Sequence, residues 1–398
     1  MRKLLKNVRI VSPGVDIPRG HIVIQGEKIL TVSSGNPAAE TGCDGIIDGG
    51  GNIALPGFVD IHCHGHSDYD FCDHDEQAFS VIGRKKLEEG VTRFLATSLS
   101  VSMDDLRFFC RQAENYRKND KDGAILSGVH LEGPFINPVR AGAQNPEFLK
   151  EPDITLVDEL AGITEVKKVT FSPELPGGVA LTGALHERGI MPSGGHTEAT
   201  WECFEECRTA GMKHLSHFCN AMVQLHHLHF GIIGGGLMDD DVYVETICDG
   251  VHLCDQMIGL IAKLKGPERM MLVTDSIRAA GMPDGKYSLG GLPVIVQNGR
   301  ATVPSGRVAG STLRYYNGLK RLVQDTRWPL SEAVRCTGLN QAESLNLKGL
   351  GKLEEGYFAD IAVLNADLEP EMTICGGELR WRKNARQYDS FPENQKGR

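Results

Sequence analysis

The chain has 398 residues, 41% of them hydrophobic, enough for one barrel with a small extra domain or for two ordinary domains. A formal charge of −10 without a basic tract argues against nucleic-acid and anionic-membrane partners, and no run is apolar enough to span a membrane. Eleven cysteines, an odd number without a Cys-x-x-Cys pair, argue against a disulfide framework and for a reducing, cytoplasmic setting.

Residues 1–52 read as β structure, and the start Met1-Arg2-Lys3-Leu4-Leu5-Lys6 as a strand rather than a signal peptide. Lys3 to Val11 is one strand, and His21–Ile24 with Lys28–Val32 form a hairpin around Gln25-Gly26-Glu27. From residue 53 strand-like runs alternate with helical patterns: Ile53–Ile61, Thr92–Ala96, Ile125–Leu131, Lys168–Phe171, Ile190–Ser193, Lys213–Phe218, Val242–Ile247 and Met270–Val273. Ser102-Met103-Asp104-Asp105 resembles a capping box, with Met103, Leu106, Cys110 and Ala113 on one apolar face. Thr197 is expected to cap the helix running through Cys207, and Asp255 the one carrying Met257, Leu260, Ile261 and Leu264. Strands return at Gly356–Leu364, Met372–Cys375 and Glu378–Trp381, before a polar tail after Arg382 that is expected to fray. The pattern predicts a (β/α)₈ TIM barrel over 53–349, with 1–52 and 350–398 joining in a small β-sandwich built from both chain termini. No dinucleotide Gly fingerprint supports an open doubly wound sheet.

Short polar signatures close the apolar runs: Asp60-Ile61-His62-Cys63-His64, His130-Leu131-Glu132-Gly133-Pro134, Gly195-His196-Thr197, His217 before Asn220-Ala221-Met222, and Thr274-Asp275. In a barrel these strand ends converge on one mouth, so distant residues can share an ion. His62 and His64 alternate in their strand and face the interior, while Cys63, like Cys219, reads as packing. Glu132 can serve one ion or bridge two. With His196 and His217 it supplies three ligands and leaves a position open for water. Asp275 is the candidate general base and acid, His252 a candidate hydrogen-bond donor to the polarised carbonyl oxygen or the substrate, and His130 a neighbour of the ligands. His21, His74 and His186 read as surface residues, and His214 lies at the wrong strand end for chemistry.

These signatures, with Pro56-Gly57-Phe58-Val59-Asp60-Ile61-His62, Asp249-Gly250-Val251-His252, Gly281-Met282-Pro283-Asp284-Gly285 and Ala309-Gly310-Ser311, resemble the amidohydrolase superfamily and within it the N-acetylglucosamine-6-phosphate deacetylases. The resemblance runs over nearly the whole chain. It implies a homodimer that releases acetate from a 2-acetamido sugar, with Glu132, His196 and His217 on the principal metal and Asp275 catalytic. It also implies that Ala143, Asn220, Ala221, His252, Val308, Ala309 and Gly310 line the sugar pocket. His62 and His64 add a second metal position. Zn²⁺ leads among the ions such ligands accept, followed by Fe²⁺, Mn²⁺ and Co²⁺. Lys167 and Lys168 begin the fourth strand, the wrong end for the bridging lysine of cyclic-amide hydrolases.

Three positions depart from that family. Leu228, in His226-His227-Leu228-His229, stands where an arginine usually reaches the sugar phosphate from the neighbouring subunit; Gln144 replaces a histidine; and Arg314-Tyr315 follow the Ala-Gly-Ser segment in place of a small or acidic residue and methionine. Leucine offers no guanidinium fork. Either Arg314 or the cluster around His227 and His229 takes over anion binding, or the substrate carries no phosphate. The alternatives are a deacetylase of a non-phosphorylated N-acetyl sugar or another N-acyl amine, and a metal-binding sugar sensor without catalysis.

Overall fold

The computed structural model describes residues 1–37 and 42–384; the tail expected to fray lies almost wholly outside them. An eight-stranded parallel sheet forms the centre, in chain order Phe58–Cys63, Val91–Thr97, Ile125–Glu132, Val166–Phe171, Met191–Gly194, His214–Leu215, Tyr243–Thr246 and Met270–Leu272. The ring closes between the first and last strands. Asp275 N–H donates to His62 O at 2.8 Å, His64 N–H donates to Ser276 O at 2.8 Å, and Cys63 bridges Ser276. Each strand is followed by a helix, from Ala78–Glu88 after the first to Tyr315–Thr326 after the eighth. Their apolar faces and the outer faces of the strands form one core, with Phe58, Phe94, Phe109, Phe171, Phe204 and Leu319 fully buried. A buried aliphatic or aromatic side chain of this kind contributes about 1.5–3 kcal/mol.

The local signals hold in part. Ser102 caps Met103–Asn119, its Oγ accepting from Asp105 N–H at 3.2 Å. The helix Trp201–Thr209 is capped by Thr200, not Thr197, whose hydroxyl instead accepts from Ala199 N–H at 2.8 Å and donates to Glu174. Asp255 is the first helical residue after an N-cap at Cys254, and favours that end by its charge rather than by a side-chain cap.

The run Ile53–Ile61 is two strands. Ile53–Pro56 pairs with Arg2–Ser12 and with Ile361–Leu364 in the terminal sheet, so residues 53–56, expected in the barrel, pair outside it. Gly57 changes partners: its N–H donates to Asp360 O at 2.7 Å, and the next N–H, of Phe58, to Gly90 O at 3.0 Å. A Cβ at Gly57 would lie 2.3 Å from Thr92 Oγ1, so only glycine lets the two sheets approach this closely. The terminal sheet runs Glu378–Arg382, Pro370–Cys375, Ile361–Leu364, Ile53–Pro56, Arg2–Ser12, Val15–Gln25, Lys28–Ser34. Gly45–Asp48 also pairs with Arg2–Ser12. The sheet covers its own core of Leu5, Ile10, Ile22, Ile24, Ile361 and Ile374. A three-stranded antiparallel sheet, Gly285–Leu289, Leu292–Gln297 and Arg300–Thr302, follows the eighth barrel strand and was not foreseen.

Candidate active site

At the C-terminal mouth of the barrel Glu132 collects four imidazoles. His62 Nε2 and His217 Nε2 each lie 3.1 Å from its Oε1, His196 Nε2 3.5 Å from the same oxygen, and His64 Nε2 3.2 Å from Oε2. The strands deliver these groups by ending where they do. His196, His217 and Asp275 leave their strands with φ of 48°, 30° and 50°, a left-handed conformation that residues with a Cβ adopt at a cost and that gathers at functional sites. Asp275 Oδ1 lies 3.2 Å from His64 Nε2 and 3.6 Å from His62 Nε2. Gly310 packs against the Asp275 backbone, where a Cβ would sit 2.9 Å from Asp275 O, and Ser311 N–H donates to that oxygen at 2.7 Å.

Two ligand triplets share Glu132: His62, His64 and Glu132, and Glu132, His196 and His217, each with ligand atoms within 4.8 Å of one another. The wiring behind the imidazoles fits a cation. His196 Nδ1 lies 2.8 Å from Arg140 O, which can only accept, so the Nδ1–H donates there and Nε2 presents a lone pair to Glu132. His62 Nδ1 likewise lies 2.8 Å from Glu245 Oε2, and His62 Nε2 is buried without a hydrogen-bond partner. In their neutral forms these imidazoles turn lone pairs toward a carboxylate, an arrangement that a positive ion between them would satisfy. The electrostatics agree. Burial alone would lower the His62 pKa, but Glu245, Glu132 and Asp275 outweigh it and raise it to about 9. His64 is raised to about 10 against its own burial, by Asp275 and Glu132. Burial would raise Glu132, yet the charge of His62 and the imidazoles of His196 and His217 around it hold it well below the usual carboxylate range.

Sequence reasoning missed the layer beneath. Glu245, inside the seventh strand, holds His62 Nδ1 and accepts from His217 N–H at 3.0 Å; it is paired with Lys168. Lys168 thus neutralises the carboxylate that orients His62. His130 packs its ring edge against His62 at 4.6 Å between centroids, its nitrogens on Thr97 and Thr170. Gln144 donates to Glu132 Oε2 at 2.8 Å and accepts from Ser100 N–H at 2.7 Å, so it fixes the shared carboxylate.

The cluster opens into a cavity of about 440 Å³, lined among others by Ala143, Asn220, Ala221, His252, Val308 and Gly310 as well as His64, Glu132, His196, His217 and Asp275. His252 Nδ1 lies 2.7 Å from Asp249 Oδ2. Burial would lower the His252 pKa, but that bond and the Asp249 charge raise it, leaving Nε2–H as a donor. Two expectations are corrected, those for Ala309 and Arg314. Ala309 does not line the cavity; it is fully buried in the core, its N–H on Ala301 O. Arg314 lines a separate recess with His66, Lys85, Glu88 and Glu89, because it precedes the helix Tyr315–Thr326 on that side. Leu228, His227 and His229 stand exposed on a loop outside the cavity of their own chain, Leu228 at 72%. Tyr315 is wholly structural, its hydroxyl within 2.9 Å of Leu272 O and its ring stacked on Phe58.

A parallel barrel with His-x-His at the end of its first strand and an aspartate after its eighth defines a metal-dependent hydrolase. The family model "Amidohydrolase family" matches residues 53–380, and the chain belongs to that family. Within it the chain groups with the N-acetylglucosamine-6-phosphate deacetylases. It is 35% identical to the one from Lysinibacillus sphaericus over 85% of this chain and 88% of the relative. The crystal structure of the Thermotoga maritima N-acetylglucosamine-6-phosphate deacetylase superposes with a TM-score of 0.87 at 35% identity, over 96% of this chain and all (100%) of that one. A mutant of the Mycobacterium smegmatis deacetylase in complex with N-acetyl-D-glucosamine-6-phosphate superposes with a TM-score of 0.87 at 29% identity, over 96% of this chain and 99% of that one.

Proposed function

We propose that this protein is a metal-dependent amide hydrolase that releases acetate from an N-acetylated amino sugar. The observation that carries the reading is Asp275 held against the shared Glu132–histidine cluster at the floor of a sugar-sized cavity, in a chain of this family. The ligand set suits Zn²⁺ first and Fe²⁺, Mn²⁺ or Co²⁺ next, and Glu132 can bridge a pair of ions. A divalent ion held there by Glu132, His196 and His217 would acidify water and polarise the acetamide carbonyl. Asp275 takes the proton of the attacking water, and its depressed pKa keeps it ionised for that task. His252, oriented by Asp249, donates Nε2–H to the carbonyl oxygen as charge develops. Asp275 then returns the proton to the departing nitrogen, and acetate leaves.

The eleven cysteines are all free, which supports a reducing cytoplasmic setting. No helix among the described residues is long and apolar enough to cross a membrane. A homodimer is supported by the apolar side chains of Leu225, Leu228 and Phe230, 45%, 72% and 40% exposed on one loop. The deciding experiment loads the protein with Zn²⁺ and measures acetate released from N-acetylglucosamine and its 6-phosphate. Asp275→Asn should bind the metal and lose about 10²- to 10⁴-fold in kcat. Full metal loading with no acetate from any acetamido sugar would replace the enzyme with a binding protein.

A further inference from the structure

Two arginines line the active-site cavity with no assigned task. The carboxylates in its wall are Glu132 and Asp275, both packed against the histidine cluster. Its cations are Arg140, Arg300 and Arg307. Arg140 is paired with Glu198. Among the described residues, no side-chain hydrogen bond or ion pair engages Arg300 or Arg307, although the chain carries ten more acidic than basic residues. Two unneutralised guanidinium groups at one cavity form a local positive field that the rest of the molecule does not cancel.

Their backbone is fixed. Arg300 follows the tight turn Asn298-Gly299, with φ of 53° and 73°, and Gly299 N–H donates to Asp284 Oδ1 at 3.0 Å. The chain then reverses: Val303 N–H donates to Arg307 O at 3.0 Å, Gly306 N–H to Val303 O at 2.8 Å, and Ala309 N–H to Ala301 O at 3.1 Å. That register puts Ala309 into the core, sets Val308 and Gly310 in the cavity wall, and brings Arg307 to the same wall as Arg300.

We infer that Arg300 and Arg307 form the subsite for a phosphate monoester on the sugar, an inference that rests on the deacetylase reading of the same cavity. A carboxylate has two oxygens and is satisfied by one guanidinium fork. A phosphate dianion offers three oxygens and twice the charge, which matches two forks from one hairpin. The anion is thus held by the protomer that carries out the chemistry, not by Leu228 or the histidines beside it.

The test compares the wild type with Arg300→Ala/Arg307→Ala on N-acetylglucosamine 6-phosphate and on N-acetylglucosamine. We expect the variant to lose about 10- to 100-fold in kcat/KM for the phosphorylated sugar, through KM, with turnover of the neutral sugar unchanged. Lysine at both positions should restore only part of the loss, since it keeps charge but no fork. An unchanged KM for the phosphorylated sugar overturns the subsite and leaves the deacetylase reading standing. A wild type inactive on both sugars overturns the deacetylase reading instead. Calorimetry with glucosamine 6-phosphate then decides the subsite: binding lost in the variant supports it, and binding equal in both, or absent from both, rejects it. A wild type that prefers N-acetylmuramic acid, with that preference lost in the variant, assigns the arginines to a carboxylate and also overturns the proposal.

Discussion

Glu89 shows how single buried groups support this site from outside it. Its Oε1 lies 3.0 Å from His66 Nε2, and its Oε2 accepts from Tyr315 N–H at 3.1 Å. Burial would raise its pKa, but the hydrogen bond and charge of His66, with Lys86 nearby, pull it below 4.5. Because the folded value is the lower one, the stabilisation is complete above the ordinary glutamate pKa of 4.5 and is lost as pH falls from there through the lowered folded value. Glu89→Gln should therefore unfold at lower urea than the wild type at pH 7, with the gap narrowing as both are titrated below pH 4.5. A constant gap would place the Glu89 contribution in packing rather than charge. Residues such as His62, Glu132 and Asp275 were legible in sequence because each is a polar group closing an apolar run. Glu245, Lys168, Asp60 and Lys86 were not, because a charge inside a strand or helix reads as solvent-facing until its partner from another element is known.

Among the elements, the helix Ala78–Glu88 and the three-stranded insertion matter most. Lys86 reaches from that helix to Asp60 Oδ2 at 2.8 Å and Ser276 Oγ at 3.2 Å, while Thr274 Oγ1 donates to the same Asp60 oxygen at 2.6 Å. All four are buried and join the first and eighth strands. Lys86→Met leaves Asp60 charged and unpaired, which should cost about 3–5 kcal/mol in denaturant unfolding. Asp60→Asn added to it should recover part of that loss; no recovery would show that Lys86 acts through its stem. The barrel's elements were readable from alternating apolar runs and short turns. The insertion was not, since Gly281 to Gly310 carries short strands punctuated by glycine that lack a long period. The join at Gly57 was hidden for the opposite reason, as one unbroken apolar run serves two sheets.

For the molecule as a whole, metal and assembly are the exposed variables. Three buried carboxylates, Glu132, Glu245 and Asp275, crowd the imidazoles, so removing a bound cation should destabilise the fold as well as stop turnover. Dialysis against a chelator should lower Tm, with about 4 kcal/mol at stake if the ion had been present at a thousand times its Kd. Restoring Zn²⁺ should return both Tm and acetate release. Leu228→Glu should shift the protein toward monomer in sedimentation without raising KM for the phosphorylated sugar, because Leu228 lies outside its own chain's cavity. A KM that rises with dissociation would assign part of the substrate's recognition to the partner.

The seam of the barrel ties the Asp275 carboxylate to the imidazoles it faces, and the two strands that meet there are its first and last. A chain that stops between His217 and Asp275 carries the candidate ligands but not the carboxylate proposed to take the proton of water. Deacetylation therefore reports on completion of the barrel: it begins only when synthesis has passed the eighth strand and the circle has shut.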